Sequence, residues 1–211
     1  MTITDDFLAT ARQVLTLLRA PQVADHWDDL SALPEFGVSG LAGHIAYQVL
    51  PLPGMLEAPA EDVPTVPLME HYARAGWTEL DVDSEFHTRI RDGGEHVASG
   101  GHADLCDRFE QTVAALPELL AAAGNRPVRM PHWGPWAVLL DDYLPSRVME
   151  FVVHADDLAV SVGVDTPEFP RHVHETVIDL LSRLALNRHR GIDIVRAFSR
   201  GERAPQDITA F

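Results

Sequence analysis

The stretch RVMEFVVHADDLAV, Arg147 to Val160, constrains this chain more than any other. Val148, Met149, Phe151, Val152, Val153, Ala155, Leu158, Ala159 and Val160 can fill a core. Arg147, Glu150, His154 and Asp157 interrupt them. At about 100° per residue these four fall within roughly 80° of one another on a helix, and Asp156 lies on the far side. A helix apolar around the rest of its circumference belongs inside a bundle. Its one polar stripe must therefore face water, a structural partner or a metal.

The rest of the chain reads as helices joined by long loops. TDDFLATARQVLTLLRA carries Phe7, Leu8, Ala11, Val14, Leu15 and Leu18 at helical spacing, with Thr4 as a candidate N-cap. VSGLAGHIAYQVL is a second helix, with Ser39 as a candidate cap and Pro51 and Pro53 as stops. The Pro-rich run to Pro67 predicts loop. Residues 68–92 predict helix in one or two pieces, and GGEHVASGG a flexible break. HADLCDRFEQTVAALPELLAAAG predicts a helix ending at Gly124 and kinked or split at Pro117. Residues 125–140 read as extended or irregular. The stripe helix follows, stopping near Gly163. One more helix comes after a Pro-laden loop, then a mixed tail with room for a short strand. This pattern predicts an all-α protein: a four-helix bundle over residues 1–163, with a C-terminal helix and short tail over 164–211 packed on it.

Net charge is −16 with a pI near 4.9. Nucleic acid and anionic membranes reward Lys and Arg, so neither is an expected partner. No window is apolar enough to span a bilayer, and no basic leader precedes an apolar run. The single cysteine, Cys106, allows no intrachain disulfide and fits a reducing cytoplasm. Asp104 and Asp107 beside it should raise its thiol pKa, which argues against a nucleophile. Nothing in the sequence sets an oligomeric state.

Glu150 and His154, four apart, project from one helix face on successive turns. A carboxylate and an imidazole are both common ligands of zinc. His44 lies with Leu41, Ile45, Gln48 and Val49 on one side of the second helix. Gly40, Ala42, Gly43 and Ala46 around it are small enough to let another helix approach. A buried His needs a partner or a ligand role. His44, Glu150 and His154 would make a His₂Glu set, and three protein ligands leave coordination positions open, as in catalytic zinc sites. Arg147 and Asp157, one turn either side, would contact substrate or orient the ligands. Trp133 and Trp136, in the loop entering the stripe helix, would form a lid or cover the core's edge. The plainer alternatives are a hydrogen-bonded core His44, a surface Glu150–His154 pair and a local Arg147–Glu150 ion pair. His172 and His174 point to different faces. His26, His71, His87, His96, His102 and His189 read as surface residues. The sequence contains no HExxH, GxSxG, P-loop or GxGxxG.

GVSGLAGHIAY resembles the second-helix motif of the mycothiol-dependent maleylpyruvate isomerase family. GPWAVLLDDYLPSRVMEFVVHADDLA resembles its fourth-helix motif, in which an Arg is followed by a Glu three on, a His four further and an Asp-Leu. That family belongs to the DinB-like superfamily of metal-binding four-helix bundles. The resemblance implies a divalent metal, zinc as a rule, held by His44, Glu150 and His154. It also implies a low-molecular-weight thiol, typically mycothiol, bound to that metal as its thiolate and adding to a small electrophile. The family's isomerase carries a further C-terminal domain, whereas 48 residues follow Gly163 in this 211-residue chain. The expected activity is therefore that of a thiol S-transferase. Maleylpyruvate cis–trans isomerisation and a non-catalytic metal or small-ligand binding bundle are the alternatives. A bundle for protein association, with the stripe as an internal ion-pair network, is a third.

Overall fold

A computed structural model describes residues 2–33, 36–59, 62–75, 85–130 and 134–210. Trp133, His132 and the stretch 76–84 lie outside the described residues. The elements are α1 (Ile3–Leu18), α2 (Pro21–Asp25), α3 (Val38–Tyr47), α4 (Leu52–Glu57), α5 (Leu68–Ala75), α6 (Glu85–Ala98) and α7 (His102–Ala123). A two-stranded antiparallel sheet follows, β1 (Pro127–Val128) with β2 (Val138–Leu139). Then come α8 (Leu140–Val162), α9 (Arg171–Arg188), α10 (Gly191–Ser199) and a 3₁₀ turn at Gly201–Arg203.

Helices α1, α3, α7 and α8 surround the core, and α9 packs on α8 from outside. Phe151 of α8 stacks on Phe7 of α1, with ring centroids 5.6 Å apart, and meets Phe109 of α7 edge-on at 6.3 Å. All three rings are fully buried. Such pairs add about 0.5–1.5 kcal/mol beyond the area they bury. The C-terminal part is tied to the bundle by His172 against Asp6, 3.0 Å, and by Gln13 donating to the Glu168 carbonyl. No helix among the described residues is long and apolar enough to cross a membrane.

The helix ends differ from expectation in detail. Thr2, not Thr4, caps α1. Its hydroxyl accepts from the Asp5 N–H while the Asp5 carboxylate accepts from the Thr2 N–H, a reciprocal capping box. Gly37, not Ser39, precedes α3. Ser39 instead donates its hydroxyl to Glu95. Helix α3 ends at Tyr47, ahead of the expected stop at Pro51, and Pro51 and Pro53 instead open the short α4, because proline suits a first helical turn. Helix α7 runs unbroken through Pro117 to Gly124, whose φ of 57° is a left-handed stop. Gly163 ends α8 the same way, with φ 70°. The tail forms α10 and the 3₁₀ turn rather than a strand.

The largest departure is in the expected break GGEHVASGG. Gly93 and Gly94 lie inside α6, although each glycine there costs about 1 kcal/mol relative to alanine. The reason is tertiary. A Cβ on Gly43 would stand 2.0 Å from the Gly94 carbonyl oxygen, and one on Gly94 2.4 Å from the Gly40 oxygen. Helices α3 and α6 therefore cross backbone against backbone. That crossing lies directly beside His44, whose N–H is 3.3 Å from the same Gly94 position.

Candidate metal centre

Helix α8 presents Glu150 and His154 on successive turns, and α3 presents His44 opposite them. His44 Nε2 and His154 Nε2 each lie 3.2 Å from the same oxygen, Glu150 Oε2. The two imidazole rings are perpendicular, with centroids 4.8 Å apart. One ligand atom from each of the three residues falls within 4.8 Å of the other two. The three side chains are only 14 to 21 % exposed, so the cluster is recessed yet open to a small ligand.

Burial shapes the charges. It pushes the His44 pKa down, with Glu150 only partly opposing, and keeps this ring neutral. Burial alone would raise Glu150, but hydrogen bonds from His154 and His44 outweigh it and hold the carboxyl well below its usual range. Burial alone would also lower His154. There Asp157 and Glu150 together prevail and lift it to about 9. Asp157 Oδ2 takes a hydrogen bond from His154 Nδ1 at 2.9 Å, which turns Nε2 toward the cluster centre. A carboxylate behind a metal-ligating imidazole plays this orienting role in many metal sites. Two imidazole nitrogens and one carboxylate oxygen that converge on one point, with one imidazole already oriented by an acid, fit a divalent cation.

Arg147 sits one turn before Glu150. Its Nη2 is 4.0 Å from Glu150 Oε1, and its guanidinium lies over the Tyr143 ring at 4.8 Å. It donates from Nε to Ser146 and from Nη1 to Gln48 Oε1. Gln48, 2 % exposed, in turn donates to the His44 carbonyl at 2.8 Å. Arg147 and Asp157 thus flank the three converging side chains as their positions on the wheel require. Asp156 stays outside and takes a hydrogen bond from Thr166.

Trp136 belongs to another group. Its indole N–H donates to His71 Nδ1 at 3.1 Å, and Arg74 lies over its ring, so its partners are on α5. It packs half-buried at the core's edge. His71 is buried rather than a surface residue, because Trp136 gives its ring nitrogen a donor. His102 is also not a free surface residue, since it bonds the Leu18 carbonyl at 2.6 Å. Burial raises the Cys106 thiol, with Arg19 opposing and Asp107 assisting, in line with an inert cysteine. Sequence reasoning placed Gln48 on the His44 face but gave it no part in the cluster. Its spacing of four from His44 was the available signal. Tyr143, four before Arg147, carried the same kind of signal.

A family model described as mycothiol maleylpyruvate isomerase N-terminal domain matches residues 7–159. A solved structure described as the mycothiol-dependent maleylpyruvate isomerase is similar in fold, with a TM-score of 0.50 and 19 % identity. The match covers 89 % of this chain and 71 % of that one. No curated protein matches the sequence.

Proposed function

Since this chain belongs to the mycothiol maleylpyruvate isomerase N-terminal domain family, a family of enzymes with a DinB-like helical fold, we propose that it is a metal-dependent, thiol-using S-transferase. In this reading His44, Glu150 and His154 hold a divalent ion, zinc in the first instance, within a bundle spanning residues 1–163. Residues 164–211 serve as a helical extension of that unit. The carrying observation is the convergence of His44 Nε2 and His154 Nε2 on Glu150 Oε2 from two separate helices. Such an ion would hold mycothiol, or a related small thiol, as its thiolate and so supply a nucleophile at neutral pH.

The chain's own residues prepare the site for that anion. Arg147 and protonated His154 balance Glu150 and Asp157 in charge. Exchanging one proton on His154 for a divalent ion leaves one positive charge in excess, and a single thiolate offsets it. Asp157 keeps His154 Nε2 aimed inward. Gln48 and Arg147 hold the His44 side of the cluster through a chain of hydrogen bonds. The neighbouring Tyr72 and Tyr143 have hydroxyls that burial keeps protonated. The sulfur adds to a carbon–carbon double bond conjugated with a carbonyl, so the C–S bond forms as the π pair moves onto the carbonyl oxygen, and the enolate is then protonated to give the adduct or expels the sulfur again to restore the double bond. Release of that adduct is conjugation, and departure of the sulfur after bond rotation is isomerisation. The second outcome, with maleylpyruvate as substrate, is favoured by the family's description.

The test is metal analysis of tag-free protein beside His44→Ala and Glu150→Ala, followed by a mycothiol-consumption assay with electrophiles including maleylpyruvate. One ion per chain, lost in both variants, with mycothiol-dependent turnover supports the proposal. Metal without thiol turnover leaves a binding module. No metal after reloading with zinc would sink the site.

A further inference from the structure

Five of the eight large apolar side chains left exposed among the described residues lie on α9 and α10. On α9, Ile178 and Leu186 are each 55 % exposed and eight residues apart, so they share one face with Ser182 midway between them. On α10, Ile194 is buried beneath the helix, while Ile192, Val195 and Phe198 point outward at 45, 56 and 66 % exposure. The two faces are continuous: a Cβ on Gly191, at the start of α10, would meet Leu186 Cδ2 at 3.4 Å. Exposed apolar residues scattered singly need no explanation, but a contiguous strip marks a contact surface.

Charge says what covers it. Residues 183–211 hold six arginines against three acids, whereas the other 182 residues hold ten against twenty-nine. The sign changes along α9 itself. Around its first half Glu168, Glu175 and Asp179 face a single Arg171, and from its second half into α10 come Arg183, Arg190 and Arg196 against Asp193 alone. Within the chain Arg171 pairs with Glu175 at 2.8 Å, Arg196 with Asp193 at 3.1 Å and Arg183 with Asp179 at 3.8 Å, pairs of largely exposed side chains that are individually weak. The surface is therefore acidic at one end, basic at the other and apolar between. That pattern is self-complementary under a two-fold axis, which sets the acidic end of one copy on the basic end of the next. An anionic lipid surface would match the basic end but be repelled by a body of charge −16.

We propose that the outer faces of α9 and α10 form a two-fold interface between two copies of this chain. The two α9 helices run antiparallel and cross at Ser182, so that Ile178 of each meets Leu186 of the other. Ser182 suits the crossing, being small, with its hydroxyl already donated to the Ile178 carbonyl at 2.6 Å. The α10 strip of each copy extends the contact. Helix α9 offers about 27 Å of length to the contact, and weak specific interfaces bury about 1,200 Å² in total or less. The dimer is accordingly concentration-dependent.

Sedimentation velocity on the full chain, across a micromolar concentration series, tests this. The expected result is a monomer–dimer equilibrium that Ile178→Asp and Val195→Asp each weaken by at least about tenfold. Both positions are exposed, so thermal melting of the monomer should not change. Asp179→Arg should weaken self-association, and mixing that variant with Arg183→Glu chains should restore a mixed dimer. A monomer at every concentration, or a dimer indifferent to both apolar substitutions, overturns the proposal. So does wild-type binding to phosphatidylserine vesicles that Val195→Asp abolishes, since the face would then belong to a membrane.

Discussion

Helices α1 and α3 make their main contacts, with α8 and with α6, by opposite means. Helix α1 fills space: Phe7, Val14 and Leu18 are fully buried, and Phe7 stacks on Phe151. Helix α3 gives space up: Gly43 lets the backbone of α6 come so close that a single methyl group has no room, and Gly40 makes room for the Glu95 side chain. The first contact is made by side-chain volume and carries stability. The second is made by missing side chains, and it sets the position of the helix that bears His44. Stability and site geometry are thus divided between two interfaces of one bundle, and they should respond differently to substitution.

The largest expected effect is on the α1 side. Phe7→Ala should cost about 3–5 kcal/mol in urea unfolding by leaving a cavity against Phe151 and its neighbours. Bound metal per folded chain should nevertheless stay unchanged, because no α1 residue belongs to the cluster. Equal loss of metal and stability would break the division. Gly43→Ala should cost about 1–3 kcal/mol by overpacking. Unlike Phe7→Ala, it should also weaken zinc binding, since α3 must shift to relieve the contact with Gly94. Retained affinity in a competition titration with a chelator would show that the crossing does not position His44.

The smallest effect sharpens the site alone. Asp157→Asn should lower metal affinity about 10–100-fold. The pH dependence has a definite sign. His154 in metal-free protein has its pKa raised from 6.5 to about 9. Its proton therefore stabilises the fold fully below pH 6.5, and that contribution is lost as pH rises through 9. A metal must displace the same proton, so zinc affinity should rise over that interval. In Asp157→Asn the interval should narrow, because one of the two carboxylates that raise His154 has gone. Zinc titrations followed at several pH values would report both effects, and a flat profile in wild type would count against a protonated His154.

Local pattern made much of this legible. The period of 3.6 placed α1, α7 and α8, and the glycines at 124 and 163 marked two helix ends. The wheel set Arg147, Glu150, His154 and Asp157 on one stripe and left Asp156 off it. The small residues of α3 announced a close helix contact. They did not say with which helix, because Gly93 and Gly94 read locally as a break.

Spacing along one helix depends only on backbone geometry, so the sequence by itself determined the all-α class, the stripe on α8 and the exposed side of Asp156. Which side chains meet across helices depends on approach distance and burial, and only the tertiary structure decided those. It carried α6 through Gly93 and Gly94, the second of which the crossing with Gly43 requires. It buried His71 by giving it the Trp136 N–H, and it joined Gln48 to Arg147. It turned the expected tail into α10, whose Ile194 finds a place under the helix while Val195 and Phe198 do not. The neutral His44 and the proton held on His154 to about pH 9 belong to the same class, because both arise from charges brought together from two helices inside a recess.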